Sequence, residues 1–278
     1  MIKDELNYIE VKNSVAHAKI ALQGAHIFEF QAQNKKPLLY LSETATFKQG
    51  KPIRGGIPIC WPWFGPNSSN QDLPNHGFAR TSLWTHEKTE ILDEETTLVQ
   101  LTLKSSPETK KLWPYDFKLS LEITISKELT LKLKTENLDT KSFTVSSALH
   151  TYFEIDNIKE VKIIGLENRL YYNKVDDSYG NVQEGNLSFK EEVDRVYQGV
   201  DNLVTIKDKE QDIIVNTEGS HTIVVWNPGE PLAAKMPDLH PYTNMVCVES
   251  ANTLGDTLTI DPEQEHTITL RVSQEEIS

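Results

Sequence analysis

From Phe117 to Leu133 the chain alternates apolar and polar residues with a period of two. Phe117, Leu119, Leu121, Ile123 and Ile125 take one side, and Lys118, Ser120, Glu122 and Thr124 take the other. A helix would need apolar residues three and four apart, so only an extended strand can bury one side of this run. After Ser126-Lys127-Glu128 the pattern resumes, with Leu129, Leu131 and Leu133 set between Thr130, Lys132 and Lys134. The spacing predicts a hairpin with one buried face. Val99, Leu101 and Leu103 predict another such strand, and Ile268, Leu270 and Val272 a late one. Shorter strands are predicted over 16–22, 26–31 and 38–41. Helical periodicity is confined to one short stretch, 231–239. Many strands and few helices predict an all-β fold of antiparallel sheets in a sandwich, not a doubly wound one.

Across 278 residues there is no Pro/Gly/Ser-rich linker, low-complexity tract or internal repeat. The expectation is one large β domain over 1–278. No run of 18 apolar residues exists, and Met1-Ile2-Lys3-Asp4-Glu5-Leu6 is too charged for a signal peptide, so no membrane association is expected. Cys60 and Cys247 are too few for a disulfide framework and are expected to be reduced thiols in the cytoplasm. The formal charge of −13 argues against a nucleic-acid partner, since a phosphate backbone needs a basic footprint. A small anion stays compatible, because two or three local arginines outweigh distant charges screened by salt.

Several polar residues stand where chemistry is possible. The stretch 143–155 reads as a strand with Phe143, Val145, Leu149, Phe153 and Ile155 on one face. Ser146, Ala148, His150, Tyr152 and Glu154 fall on the other, which sets an imidazole between a small residue and an aromatic one. The segment 244–251 is also strand-like, with Met245, Cys247 and Glu249 opposite Val246 and Val248. A carboxylate so flanked is shielded, and shielding demands a partner or raises its pKa, as suits a general base. The bland alternatives are a sheet histidine bonded to a neighbour and a structural ion pair. Arg54 precedes Gly55-Gly56, where backbone can approach a ligand closely. Arg80 ends a loop of Pro74, Asn75, His76 and Gly77. Guanidinium forks suit phosphate, although each arginine taken alone reads first as a surface ion-pair partner. Trp61, Trp63 and Phe64 either stack on a sugar or fill the core. Asp194, between apolar residues beside Arg195, can reach a ligand hydroxyl or simply remain solvated. The eight histidines show no metal-protease spacing, no Gly-rich loop opens a helix, and no Gly-x-Ser-x-Gly elbow occurs. No metal or cofactor is expected.

Four segments together resemble the aldose 1-epimerase superfamily, most closely its hexose-6-phosphate mutarotase branch. They are Arg54-Gly55-Gly56-Ile57-Pro58-Ile59-Cys60-Trp61-Pro62-Trp63-Phe64-Gly65, His76-Gly77-Phe78-Ala79-Arg80, Ala148-Leu149-His150-Thr151-Tyr152-Phe153 and Val246-Cys247-Val248-Glu249-Ser250-Ala251-Asn252. The resemblance spans about residues 15 to 272. It implies a large twisted galactose mutarotase-like β-sandwich with its site in the groove of one sheet. It further implies His150 and Glu249 as the catalytic pair, and Arg54, Asn75, Arg80 and Asp194 as contacts to a phosphorylated sugar. The implied reaction is exchange of α and β anomers of glucose 6-phosphate and related hexose 6-phosphates, by a monomer without cofactor. Two departures, Gly229 after Trp226-Asn227-Pro228 and Ser250 after Glu249, touch substrate preference more than reaction type. The alternatives are an epimerase of free sugars, its arginines structural, and a carbohydrate-binding protein without turnover.

Overall fold

The computed structural model describes residues 1–276. Its hairpin Phe117–Ile125/Leu129–Asn137 has the predicted turn, with Ile125 opposite Leu129, Ile123 opposite Leu131 and Leu121 opposite Leu133. All these leucines and isoleucines are buried. The hairpin sits inside a nine-stranded sheet. Its order is Leu187–Ser188, Lys162–Ile164, Leu203–Lys207, Gln211–Glu218, Glu265–Glu276, Leu129–Asn137, Phe117–Ile125, Thr97–Lys104 and Thr85–Ile91. An eight-stranded sheet runs Ser178–Val182, Leu170–Asn173, Val193–Gln198, Thr222–Asn227, Met245–Asn252, Ser147–Leu149 and Ile59–Cys60, with Tyr152–Glu154 also paired to Met245–Asn252. A four-stranded sheet, Ile2–Lys3, Leu6–Lys12, Ala16–Ala21 and His26–Ala32, precedes both. Every strand-to-strand pairing named here is antiparallel.

One face of each large sheet feeds a shared core. Leu121, Ile123 and Leu131 of the nine-stranded sheet lie in one apolar cluster with Ile223, Val225, Val246 and Val248 of the eight-stranded sheet. The alternation in Met245–Asn252 therefore turns Val246 and Val248 inward, and Cys247 and Glu249 toward the other face. Trp61 and Trp63 belong to this core, Trp61 lying against Phe117 at 4.5 Å between ring centres. Of the three aromatics that sequence left undecided, only Phe64 reaches the polar face.

Three expectations need correction. The stretch 143–155 is not one strand but three, Phe143–Val145, Ser147–Leu149 and Tyr152–Glu154. At its breaks the backbone turns to loops instead of strands, Ser146 N–H donating to the Pro62 carbonyl and His150 N–H to that of Pro58. Residues 38–41 make only isolated bridges, Leu39 to Phe153 and Leu41 to Gly55. The short helix expected within 231–239 starts earlier, at Gly229–Ala233. A second short helix, Pro107–Leu112, carries no apolar periodicity and is set by its ends. Ser106 accepts from Thr109 N–H, the Thr109 hydroxyl accepts from Ser106 N–H, and Pro107 opens the first turn. Among the described residues no helix is long and apolar enough to cross a membrane.

Candidate active site

Strand register brings the site together. Ser147 faces Asn252 and Leu149 faces Ser250; beyond the break, Tyr152 faces Cys247 and Phe153 faces Val246. The break does not shift this register, so His150 falls opposite Glu249 on the same side of the sheet. Val224 flanks Glu249 on the next strand, and Val196 flanks Val224. The neighbouring row reads Tyr152, Cys247, Trp226, Asp194. Two rows of side chains from four strands thus floor one cavity of about 180 Å³. It is lined by Arg54, Phe64, His76, His150, Tyr152, Lys174, Asp194, Val224, Trp226 and Glu249.

At the centre His150 Nε2 lies 3.3 Å from Glu249 Oε1. Glu249 is 1% exposed and His150 9%. His150 Nδ1 and Glu249 Oε2 have no protein hydrogen-bond partner. Tyr152 stacks on the imidazole at 4.9 Å with a 10° tilt, and Trp226 meets both rings edge-on. The ring is thereby held flat against the wall with its edge toward the carboxyl. Burial pushes Glu249 well above the usual carboxylate range, opposed by the charges of Lys174 and Arg80. Burial holds His150 well below the usual imidazole range, and His76, Arg80 and Arg54 add to the effect. Charge on either group is costly here, so the resting imidazole is neutral. Two such groups in contact can pass one proton between them.

The cations stand around this pair, each already engaged. Arg54 donates from Nε and Nη2 to Asp238 Oδ2 at 3.1 and 3.0 Å, and from Nη1 to the Tyr152 hydroxyl at 3.0 Å. Arg80 Nη2 donates to the Asn75 carbonyl at 2.7 Å. Its charge is felt by His76, His150 and Glu249. Asn75 is exposed and meets Arg80 through its backbone. Asp194 lines the cavity and pairs with Lys174 Nζ at 2.9 Å. The structure thus gathers His150, Glu249, Arg54 and Asp194 in one cavity and leaves Arg80 and Asn75 outside its lining, on the loop that brings in His76.

The glycines beside Arg54 act differently from the expectation. Gly56 has φ of 61°, and a Cβ there would stand 2.3 Å from the Ile27 carbonyl and 2.7 Å from His26 Nε2. The close approach is therefore to the protein's own backbone, and it docks the Arg54 loop onto the strand His26–Ala32. Gly77, with φ of 69°, does the same for the second loop, where a Cβ would stand 1.9 Å from the Trp61 carbonyl.

Three site residues escaped sequence reasoning. His76 accepts from Gly65 N–H at Nδ1, 3.2 Å away, which leaves the proton of the neutral ring on Nε2. Burial pushes its pKa down to about 3. Its place beside Asn75 in a recognised motif was the available signal. Lys174 follows the strand Leu170–Asn173, and Asp238 lies in the loop after the Gly229–Ala233 helix; neither position carries a periodic signal. His150, Cys247 and Glu249 also place three potential metal-ligand atoms within 4.8 Å of one another. A larger hollow of about 550 Å³, lined by Ser82, Thr85, Glu87 and Thr102 among others, brings no such pair together.

Comparison with known proteins identifies the family. The family model for aldose 1-epimerase matches residues 7–273. A protein of Escherichia coli K12, provisionally named glucose-6-phosphate 1-epimerase, is 38% identical over 253 residues, covering 89% of this chain and 84% of its own. A relative in the grass Cenchrus ciliaris with the same provisional name is 34% identical over 261 residues, covering 89% of this chain and 78% of its own. The crystal structure of a Salmonella typhimurium protein provisionally titled a mutarotase superposes with a TM-score of 0.93 at 32% identity, covering 99% of this chain and 92% of that one. A galactose mutarotase-like protein of Lactobacillus casei, at 16% identity, shares the fold with a TM-score of 0.75, covering 97% of this chain and all of its own. With its four motifs folded into one cavity and nearly its whole length matched, this chain belongs to the aldose 1-epimerase family.

Proposed function

We propose that this protein is a hexose-6-phosphate mutarotase, which exchanges the α and β anomers of glucose 6-phosphate and related sugars. The observation that carries the proposal is the buried contact between His150 and Glu249, 3.3 Å apart, in a cavity lined by Arg54 and Lys174, with the charge of Arg80 felt by both groups. The provisional names of the relatives support the same reading. Opening a cyclic hemiacetal requires loss of the anomeric hydroxyl proton and gain of a proton by the ring oxygen. Glu249 is the base and His150 the acid. Burial favours a protonated Glu249 beside a neutral His150, and moving that one proton to His150 Nε2 creates the carboxylate and the imidazolium together. No exchange with solvent is needed to arm the pair. As the ring opens, Glu249 takes the anomeric proton and His150 gives its own to the ring oxygen. Rotation about the bond between C1 and C2 exposes the other face of the aldehyde, and the two transfers reverse on closure. Raising the pKa of Glu249 suits it to act as a base near neutral pH, and a positioned acid or base supplies about 10²–10⁴-fold.

The arginines select the phosphate. Arg80 keeps guanidinium donors beyond its bond to Asn75, and Arg54 must share its fork with Asp238. Asp194, held by Lys174, is placed to accept from a sugar hydroxyl. The free thiols Cys60 and Cys247 fit a reducing, cytosolic setting. Anomer-resolved NMR exchange with glucose, glucose 6-phosphate and galactose 6-phosphate tests the proposal. Catalysed exchange of a phosphorylated sugar above the buffer rate is expected. Equal acceleration of free glucose would point to a free-sugar epimerase, and binding without acceleration to a carbohydrate-binding protein.

A further inference from the structure

Cys247 takes no part in the proton transfers, yet it sits on the same strand face as Glu249, two residues away. Its thiol is fully buried among Tyr40, Tyr152, Leu239 and Met245. Its sulfur, an imidazole nitrogen of His150 and a carboxyl oxygen of Glu249 all lie within 4.8 Å of one another. One sulfur, one nitrogen and one oxygen make a donor set that suits zinc or cadmium.

The spacing is favourable as well. A tetrahedral zinc site has bonds of about 2.0–2.2 Å to nitrogen and oxygen, which sets the N···O edge at about 3.3–3.5 Å. His150 Nε2 and Glu249 Oε1 are already 3.3 Å apart. His150 sits in the break between Ser147–Leu149 and Tyr152–Glu154, both hydrogen-bonded to the strand of Glu249, so an ion would meet a preformed edge and need only draw in the thiol. Glu249 Oε2 is buried without a protein partner, an oxygen left over to bind the ion. The cavity beside Glu249 supplies the remaining coordination position and the entry path.

We propose that His150, Cys247 and Glu249 form an inhibitory site for a soft divalent cation, zinc or cadmium, that closes the enzyme by occupying its acid–base pair. The ion bonds to the sulfur and to a Glu249 oxygen as the S–H bond and the carboxyl O–H bond break and both protons pass to solvent, with no change of oxidation state. It also takes the lone pairs through which His150 and Glu249 would carry protons. A resident metal is ordinarily supported by a hydrogen bond from the far nitrogen of its histidine. His150 Nδ1 has no such partner, so the site suits a reversible occupant that competes with the sugar. The loss of turnover rests on the proposed catalytic role of the pair; the binding of metal does not.

Cadmium titration of the intact protein tests this directly, because a cadmium–thiolate bond absorbs in the ultraviolet. One equivalent should raise that band in the wild type and in Cys60→Ser, and none should appear in Cys247→Ser or Cys247→Ala. The zinc concentration for half inhibition of anomer exchange should rise at least about tenfold in Cys247→Ser, as losing a direct ligand costs no less than losing an outer support. X-ray absorption of the cadmium-loaded wild type should show one sulfur and several nitrogen or oxygen neighbours, a readout that needs no variant. A first shell without sulfur, a band that survives removal of Cys247, or equal zinc sensitivity of the two proteins would overturn the proposal. If the wild type lacks turnover altogether, the absorption measurements still decide the metal site on their own.

Discussion

Replacing Glu249 by Gln separates chemistry from folding more cleanly than other changes at this site. The amide keeps the side chain's shape and its approach to His150 Nε2, now 3.3 Å from a carboxyl oxygen. It cannot accept the anomeric proton. A general base contributes about 10²–10⁴-fold, so exchange should fall by two to four decades, equivalent to about 3–5 kcal/mol of barrier at about 1.36 kcal/mol per decade. Stability should move the other way. Burial raises the Glu249 pKa in the folded protein, so its stabilising contribution is present below the unfolded carboxylate pKa and lost as pH rises through the folded one. Glu249→Gln abolishes that loss, so at alkaline pH the variant should melt no lower than wild type, and higher where Glu249 is ionised. The assay is exchange NMR on glucose 6-phosphate, corrected for uncatalysed mutarotation, beside thermal melts from neutral to alkaline pH. A folded variant that keeps more than about a tenth of the rate would show that Glu249 is not the base. A variant that melts lower across the whole range would show that the carboxylate is a structural partner instead.

His150→Asn should lose a comparable factor, and the double variant with Glu249→Gln should lose far less than the product, since groups that act as a unit are not additive. Additive losses in that cycle would count against a shared proton. Arg80→Ala should raise KM for hexose 6-phosphate about tenfold to a hundredfold while free-sugar exchange holds, because a charge-assisted contact is worth roughly 1.5–3 kcal/mol. Arg54→Ala should cost less, as Asp238 already occupies two of its donors; equal loss on both sugars would make the arginines structural. His26 donates to the Gly55 carbonyl at 2.8 Å, and burial pushes its pKa down to about 4 from 6.5. Between those values the unfolded chain binds the extra proton, so acid should remove up to about 3 kcal/mol of stability through this residue, at about 1.36 kcal/mol per pH unit. Urea melts of His26→Gln from pH 6.5 to 4 should lose about one proton's worth of slope, and identical slopes would refute the assignment.

The sequence by itself determined the class of fold and the faces of its strands, because a period of two leaves no freedom over which side chains share a side. The hairpin Phe117–Ile125/Leu129–Asn137 and the placement of Glu249 beside Cys247, away from Val246 and Val248, were legible for that reason. The four motifs likewise marked His150, Glu249, Arg54 and Arg80 as candidates. What periodicity cannot hold is which strand pairs with which, since pairing joins residues about a hundred positions apart. Only the register of Met245–Asn252 against Ser147–Leu149 and Tyr152–Glu154 sets His150 facing Glu249. The aromatics show the same division: alternation could not tell Trp61 in the core from Phe64 in the cavity until packing chose. Lys174 and Asp238 belong wholly to the tertiary structure, and so does the placement of His76, whose motif was its one trace in the sequence. They come from loops, where side chains are placed by the elements they rest on and leave no periodic trace in the chain.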